Sequence, residues 1–452
     1  MKIILIGGGK VGSSIVSQMV NEGHDIVVID SKKSILDQIS DNLDVMTLVG
    51  NGAEPNILRE AGVQDADLVI ACTAEDELNA LCCTFAKKLG CKNTIARIRS
   101  PQYAKQIYYF KEDFGLSMTI NPELAAAKEI FSLLEIPSVL HRDSFDESGV
   151  DIVEVACKSG SFIEGMMLMD IPKKFGSSFL ICAVKRGDEV IIPSGRFVIQ
   201  ENDRLFICAP VRKIAQILHR MGENTRSCKD VMIIGGGSIS EYLTDALSNA
   251  NVNVKIIEQK QERAEELAEK FPEAIIVCAD GTSESVLSAE HLQSMDGAVM
   301  LTDRDEESLI LSMYASRQGV PTIISKIGHT NFGKLFENDP TIKLVNPQKL
   351  CADIIVRYVR AMQNSEGVPI ESLRYIAGDK IAAMEFKITE KCRKLDIPLM
   401  DIKLNPGILI ASITRDSKVL VPGGRDVLKE GDTAIVVAEA DKQILDINDI
   451  FE

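Results

Sequence analysis

The sequence predicts an α/β protein with two Rossmann-like, doubly wound parallel sheets, each followed by a small α+β domain. Three observations carry that reading. The chain repeats itself with a long offset; short apolar runs alternate with amphipathic helical stretches in the first part of each repeat; and a glycine-rich turn joins the first run to the first helix in both copies.

The repeat is read residue by residue. Ile4-Leu5-Ile6-Gly7-Gly8-Gly9 returns as Met232-Ile233-Ile234-Gly235-Gly236-Gly237, 228 residues later. Asp30, closing Ile26-Val27-Val28-Ile29-Asp30, returns at the same offset as Glu258 after Val254-Lys255-Ile256-Ile257. Gly52 corresponds to Gly281, Thr73 to Thr302, and Asn121-Pro122 to Asn346-Pro347. Further on, Ile192-Pro193-Ser194-Gly195-Arg196 matches Val421-Pro422-Gly423-Gly424-Arg425, and Glu201-Asn202-Asp203 matches Glu430-Gly431-Asp432. Correspondences kept in order and register mean a duplicated unit. Its period is far longer than that of a solenoid repeat, so the copies are tandem domain pairs.

Within the first copy, Lys2–Ile6, Ile26–Ile29, Met46–Val49, Leu68–Cys72 and Thr94–Arg97 are near-continuously apolar, as strands of a parallel sheet covered on both faces must be. The helix between the first two places Val11, Ile15, Val16, Met19 and Val20 on one face and stops at Gly23. The texture then changes. Asp151–Ala156 alternates as a half-buried antiparallel strand does. Short strands follow at Phe179–Val184, Val190–Ile192 and Leu205–Cys208, between Gly and Pro turns, and a helix over about Val211–Met221 closes the unit. Gly222–Ser227 is polar and serves as the linker. The expected domains are 1–136 (Rossmann), 137–221 (small), 228–365 (Rossmann) and 366–452 (small).

Composition narrows the function classes. A chain of 452 residues is too long for one ordinary core. Its 50 Lys+Arg against 66 Asp+Glu give a net charge of −16, which argues against nucleic acid as a partner, because phosphate-backbone binding rests on a basic face. No apolar run is long enough to cross a bilayer. Met1–Ile6 reads as a first strand and not as a signal peptide. Eleven scattered cysteines with no C-x-x-C suit a reducing compartment better than a disulfide framework or a zinc site. The expectation is a soluble, acidic, cytoplasmic protein.

Gly7-Gly8-Gly9-Lys10-Val11-Gly12 fits G-x-G-x-x-G. The pattern has a mechanism here because it ends a strand, opens a helix and is followed by an acid closing the second strand. Gly7 supplies the tight turn, Gly9 lets backbone approach a pyrophosphate, and Gly12 lets helix pack on strand, while free helix N–H groups face the anion. Asp30 accepts ribose hydroxyls and disfavours a 2′-phosphate, a preference that Lys32 and Lys33 temper. In the second copy Gly235 and Gly237 are kept, Ser240 replaces the third glycine, and Glu258 is the ribose acceptor. A nucleotide-free core with structural glycines is the bland alternative at both places. Thr73 and Thr302 end the fourth strands, where crevice contacts lie, although a helix N-cap explains them too. Arg97 and Lys326 end the fifth strands, as crevice cations for a phosphate or as surface ion pairs.

No catalytic set accompanies these sites. The five histidines are dispersed and read mostly as surface residues, and Y-x-x-x-K, H-E-x-x-H, G-x-S-x-G and the phosphate loop are missing. Cys82-Cys83 reads as buried inert thiols, and Tyr108-Tyr109-Phe110 as core packing.

These residues resemble a known arrangement. Gly7–Gly12, the Asp-ended second strand, Gly50-Asn51-Gly52-Ala53, Thr73…Glu77…Asn79, Ile95–Ser100 and Asn121-Pro122-Glu123 look like the nucleotide-binding domain that regulates potassium conductance (RCK, or KTN). The units around Pro193-Ser194-Gly195 and Pro422-Gly423-Gly424 resemble its companion C-terminal domain, RCK-C. Two such pairs in tandem resemble the cytosolic regulatory subunits of Trk-type potassium uptake systems. The resemblance implies NAD(H), together with ATP or ADP, as ligands and no enzymatic activity. It also implies a TrkH-like integral-membrane potassium transporter as partner at the inner face of the membrane, and self-association into a dimer or tetramer ring. With the motif, it makes Gly7, Gly8, Gly9, Lys10, Val11, Gly12, Asp30, Asn51, Gly52, Cys72, Thr73, Ala74 and Arg97 the candidate contacts of the first site. Those of the second are Gly235, Gly236, Gly237, Ser238, Ile239, Glu258, Asp280, Gly281, Leu301, Thr302 and Lys326. No metal site and no catalytic residue is expected. An NAD-dependent oxidoreductase with an unrecognised active site, or a regulator of another cation transporter, are the other readings of the same residues.

Overall fold

In a computed structural model of the chain, the apolar runs of the first copy lie side by side as a parallel sheet. The structure describes residues 1–452 apart from 22, 101–102, 104–105, 108–110, 146–147, 177, 224, 329–335, 337–340, 364–369, 379, 443 and 445; the Tyr108-Tyr109-Phe110 segment lies outside the described residues. The chain divides into two compact units, Met1–Phe131 with Lys229–Val356, and Ser132–Cys228 with Arg357–Glu452. Like therefore groups with like: both Rossmann domains form one unit and both small domains the other.

The first unit opens with β1 (Lys2–Ile6), α1 (Lys10–Asn21), β2 (Asp25–Asp30), α2 (Lys33–Ser40), β3 (Met46–Val49), α3 (Pro55–Glu60), β4 (Leu68–Ala71), α4 (Asp76–Lys88), β5 (Asn93–Arg97) and β6 (Met118–Ile120). All strand pairs are parallel, in the order β3-β2-β1-β4-β5-β6. This is the doubly wound order whose reversal, between β1 and β4, opens a crevice at the carboxyl ends of the strands. α5 (Pro122–Glu135) follows and runs beyond the first unit. The central strands are apolar because both faces are covered: Ile4, Leu5, Val28, Leu68, Val69 and Ile70 are fully buried.

In the small-domain unit come β7 (Val139–Phe145), β8 (Val150–Ala156), α6 (Ile171–Phe175), β9 (Leu180–Arg186), β10 (Glu189–Ile191), β11 (Arg204–Pro210) and α7 (Ile214–Arg220). They form an antiparallel sheet ordered β10-β9-β11-β8-β7.

The second copy repeats both sheets. β12 (Asp230–Ile234), α8 (Ser238–Asn249), β13 (Asn253–Glu258), α9 (Gln261–Lys270), β14 (Ile275–Cys278), α10 (Glu284–Ala289), β15 (Gly297–Met300), α11 (Asp305–Arg317), β16 (Thr322–Lys326) and β17 (Ile342–Val345) give the order β14-β13-β12-β15-β16-β17, followed by α12 (Pro347–Gln363). β18 (Ile370–Ile376), β19 (Ile381–Lys387), β20 (Ile408–Arg415), β21 (Lys418–Leu420) and β22 (Thr433–Glu439) give β18-β19-β22-β20-β21, the same topology as the first small sheet.

Burial of β8 departs from the sequence expectation. The strand was to be covered on one face only, yet it is buried on both. Val153 and Val155 face the core under α6 and α7, while Val150 and Ile152 enter a second core shared with Ile376, Ile381, Ala383, Ile435 and Val437 of the other small domain. The repeat explains the difference: a sheet that meets its own copy has no solvent face. At the rim of each small sheet the duplicated acid-turn motif has a structural purpose. Arg186 forks onto buried Asp203 through two bonds of 2.7 Å, and Arg415 onto buried Asp432 through two bonds of 2.7 Å. In both turns the preceding residue, Asn202 or Gly431, is left-handed.

Phe206 lies in the shared core and is 1% exposed. Phe206→Ala should destabilise the small-domain unit by about 3–5 kcal/mol, read in chemical denaturation as a lower midpoint with little change of slope.

Candidate functional site

The first cleft is built at the end of β1. Gly7 takes φ +97°, a left-handed turn in which a side chain is strained, and a Cβ there would lie 2.9 Å from the Cys72 carbonyl carbon and the Thr73 nitrogen. The chain then rises into α1. Gly12, in the first turn, meets the loop so closely that a Cβ would sit 2.0 Å from the Gly7 carbonyl oxygen. Asp30 closes β2 and fixes the loop with both carboxylate oxygens, accepting from the Gly8 N–H at 2.8 Å and from the Lys32 N–H at 2.8 Å. Ser13 Oγ donates to the Gly8 carbonyl at 2.8 Å. Gly8 and Gly12 are thus the underside of the loop, while Gly7, Gly9, Lys10 and Val11 form its cleft wall.

The cleft itself is about 650 Å³, the size of a small-molecule site. Asp30 and Ile35 line one end. Asn51 and Gly52 line the middle, and Cys72, Thr73 and Ala74 the opposite lip. Arg97, Arg99 and Gln348 stand at the far end. Gly9 faces open space, with nothing within 4 Å of a Cβ built on it. The arrangement therefore fits a nucleotide: a bare backbone approach at Gly9, helix N–H groups behind it, and a carboxylate at the place of the ribose. Cys72 is buried, and burial pushes its thiol up to about 12, so it lines the cleft as a neutral group. Burial likewise pushes Cys82 up to about 12 and Cys83 well above the ordinary thiol range, as expected of inert thiols.

Thr73 does not act as a helix N-cap, since α4 begins at Asp76 and its N-cap position is Glu75. Instead Thr73 donates through both N–H and Oγ1 to Asn79 Oδ1 at 2.7 Å, and the buried Asn79 amide donates to the Arg97 carbonyl at 2.9 Å. One amide thereby ties the ends of β4 and β5 together. Buried Asp76, at the start of α4, holds the segment just after β5, accepting from the Arg99 and Ser100 N–H groups at 2.9 and 2.8 Å. Arg97 combines both sequence expectations: it lines the cleft and pairs with Glu123 at 3.0 Å.

The second site repeats the loop. Gly235 takes φ +105°, and Glu258 accepts from the Gly236 N–H at 2.7 Å and the Lys260 N–H at 2.8 Å. Gly237 is the N-cap of α8 and faces open space, with Ser238 and Ile239 in the first turn. Ser240 is fully buried where the first copy has Gly12. Asp280 turns inward on its own loop, accepting from the Thr282 N–H and hydroxyl at 2.9 and 2.7 Å, which hold its carboxyl below the ordinary value. Gly281 lies against Ile234, and Leu301 is buried.

Three departures distinguish the copies. Thr302 meets Ser308, at 2.8 Å, where Thr73 meets Asn79, so no side-chain amide spans to the end of β16. Arg263 stands at the position of Ile35, donating to the Gly236 carbonyl at 2.8 Å and to Glu241 at 2.8 Å. Lys326 replaces Arg97. Burial lowers its pKa, against the pull of Asp303 and Asp305, and Lys10 of the first site lowers it further.

The second Rossmann domain reaches the first site. Tyr242, in α8, accepts from Asn121 Nδ2 at 2.9 Å and donates to the Arg99 carbonyl at 3.0 Å; burial raises its hydroxyl to about 12. Gln18 of α1 donates to Asp353 of α12 at 2.9 Å, and Gln348 of α12 lines the first cleft. Asn79, Asp76, Arg99, Tyr242 and Gln348 are absent from the sequence-derived contact set. Asn79 and Arg99 stand in the family motifs without an assigned contact; Asp76, Tyr242 and Gln348 need the tertiary structure. Buried His24 departs from the expected surface placement. No group of three or more His, Cys, Asp or Glu poised for a metal occurs among the described residues, and none of their helices is long and apolar enough to cross a membrane.

Two Rossmann sheets with ready nucleotide loops, each paired with a small antiparallel domain, define a tandem nucleotide-binding regulatory protein. Family models agree: the TrkA-N domain matches residues 3–122 and 231–347, and the TrkA-C domain matches 152–222 and 383–448. The chain is 30% identical to Trk system potassium uptake protein TrkA homolog 1 of Methanosarcina mazei, over 97% of this chain and 98% of that one. It is 29% identical to Trk system potassium uptake protein TrkA of Vibrio alginolyticus, over 100% and 99%. Among solved structures, the GsuK RCK domain superposes with TM-score 0.64 at 16% identity, covering 97% of this chain and 92% of that one. The GsuK channel bound to NAD gives the same score, identity and coverage of this chain, with 77% of its own length covered. The chain belongs to the TrkA family, the non-enzymatic regulatory subunits of Trk potassium uptake systems.

Tyr242→Phe removes a hydroxyl that bonds across the two Rossmann domains while leaving the ring in place. It should cost about 1 kcal/mol and lower the unfolding temperature by about 2–4 °C in calorimetry.

Proposed function

We propose that the chain senses cytoplasmic nucleotides and passes their occupancy to an integral-membrane potassium transporter, gating potassium flux. Both crevices bind adenine nucleotides: NAD(H), and ATP or ADP. The observation that carries this reading is the loop–carboxylate arrangement, present in both copies: an acid at the end of β2 or β13 holds two backbone N–H groups and still has lone pairs for ribose hydroxyls. That GsuK was crystallised with NAD, and in a second structure with ADP, supports it.

In the first site Gly7, Gly9, Lys10 and Val11 cradle the pyrophosphate on the underside formed by Gly8 and Gly12, and Asp30 holds the ribose. Asn51, Gly52, Cys72, Thr73, Ala74 and Arg97 complete it. In the second, Gly235–Ile239 and Glu258 take the same parts, with Asp280, Gly281, Leu301, Thr302 and Lys326 around them. The bound cofactor supplies no chemistry here; it acts as a signal. Because a ligand moves an equilibrium only by its differential affinity, several sites acting together in a dimer or tetramer ring can supply the ~5.5 kcal/mol needed to take a gate from mostly closed to mostly open. The contacts of Tyr242 and Gln348 give the second Rossmann domain a stake in the first domain's ligand. We assign the four domains to 1–136, 137–221, 228–365 and 366–452, and place the protein in the cytoplasm, held at the inner membrane face through its transporter.

Gly9→Asp puts a carboxylate where the pyrophosphate belongs, in space no protein atom occupies. Titration calorimetry with NADH, NAD, ATP and ADP should show the first site's binding abolished, the second retained, no nucleotide consumed and the unfolding temperature unchanged. Wild-type stoichiometry and affinity in the variant would show that the phosphate lies elsewhere.

A further inference from the structure

The far end of the first cleft carries polar atoms that the protein does not use. Gln348 Oε1, Glu123 Oε2 and Arg97 Nε are buried with no hydrogen-bond partner. Gln348 is the unusual member, because it comes from the first turn of α12 in the second Rossmann domain and yet lines the cleft of the first. The repeat supplies its own comparison. The matching residue of the first copy is Glu123, and it is drawn 3.0 Å from Arg97 of its own domain. An acid at position 348 would be free to pair with a cation; the amide has none to pair with.

Charge at this end of the cleft is already balanced. Arg97 is matched by Glu123, and Arg99 lies 3.9 Å from buried Asp76 while also donating to the Ala74 carbonyl. A terminal phosphate brought here can accept from the unpartnered Nε–H groups of Arg97 and Arg99, but so can the phosphates of a dinucleotide. Phosphate oxygens offer only acceptors to the unsatisfied amide oxygen of Gln348. What Gln348 Oε1 lacks is a donor. A nucleotide seated with its adenosine ribose on Asp30 and its phosphates at Gly9 extends over the ends of β4 and β5, toward Gln348. Of the two ligand types, a mononucleotide ends there in phosphate. A nicotinamide dinucleotide ends there in a second nucleoside bearing a carboxamide N–H₂.

We propose that Gln348, contributed by the second Rossmann domain, is the specificity-determining residue of the first cleft, accepting a hydrogen bond from the carboxamide of a nicotinamide dinucleotide and so favouring it over adenine mononucleotides. The assignment rests on the reading that the first cleft binds adenine nucleotides on Asp30. It makes the first site the dinucleotide site, and it makes dinucleotide affinity depend on the placement of the second domain.

The test uses the full chain carrying Gly237→Asp, which disables the second site, titrated separately with NADH and ADP. Adding Gln348→Leu should weaken NADH about tenfold, the loss of one well-placed hydrogen bond, and leave ADP within about twofold. Retained ADP binding also shows that the variant is folded. Gln348→Glu keeps an acceptor and should hold NADH within about threefold of the parent. Equal weakening of NADH and ADP, or of neither, overturns the assignment while leaving the cleft a nucleotide site. A parent chain that binds neither ligand overturns the reading of the cleft and the assignment with it.

Discussion

The carboxylate that closes the second strand of each Rossmann sheet is the interaction on which the site depends. Asp30 holds the glycine turn through the Gly8 N–H and the start of the next segment through the Lys32 N–H, and Glu258 does the same through Gly236 and Lys260. A left-handed glycine turn has few contacts of its own. With an ionised oxygen on its backbone it becomes a fixed cradle, because charge-assisted bonds to N–H groups are about twice as strong as neutral ones. The remaining features of the cleft, the bare face of Gly9 and the N–H groups of α1, are positioned by that turn.

Duplication supplies the second theme. The small domains use it for stability: each buries a sheet face against its copy, so that neither needs a solvent-adapted surface there. In the Rossmann domains it brings residues of one copy to the site of the other. Their loops are near copies, but what surrounds the loops has diverged: Asn79 against Ser308, Ile35 against Arg263, Glu123 against Gln348. Tyr242 has no partner in kind, since its counterpart in α1 is Ser14, a side chain too short to reach across. Coupling through such contacts is reciprocal in binding free energy, so a ligand that favours one arrangement of the pair is itself favoured by it.

The fold was legible because its determinants are local and periodic. Buried parallel strands read as apolar runs, and the glycine turn, the closing acid and the tandem repeat are visible as residues in register. The limits were also physical. The alternation of Asp151–Ala156 predicts one buried face, and only the pairing of the copies covers the other. Thr73 reads equally as a cap or a cleft residue until its bonds to Asn79 are seen. Gln348 lies far along the chain from the first glycine turn, and although Asn346-Pro347 before it repeats Asn121-Pro122, that repeat points to the second cleft and not to the first. Contacts between copies leave no periodic trace in either one.

The central claim is that nucleotide occupancy is read by a transporter. Potassium flux through the partner transporter, reconstituted with this chain in vesicles, measures it directly as nucleotide is added and withdrawn. The account predicts flux that changes reversibly with NADH, NAD, ATP or ADP, differs among them, and proceeds with the nucleotide recovered intact. Flux that needs the chain but is indifferent to every nucleotide, while the purified chain still binds them, would contradict it.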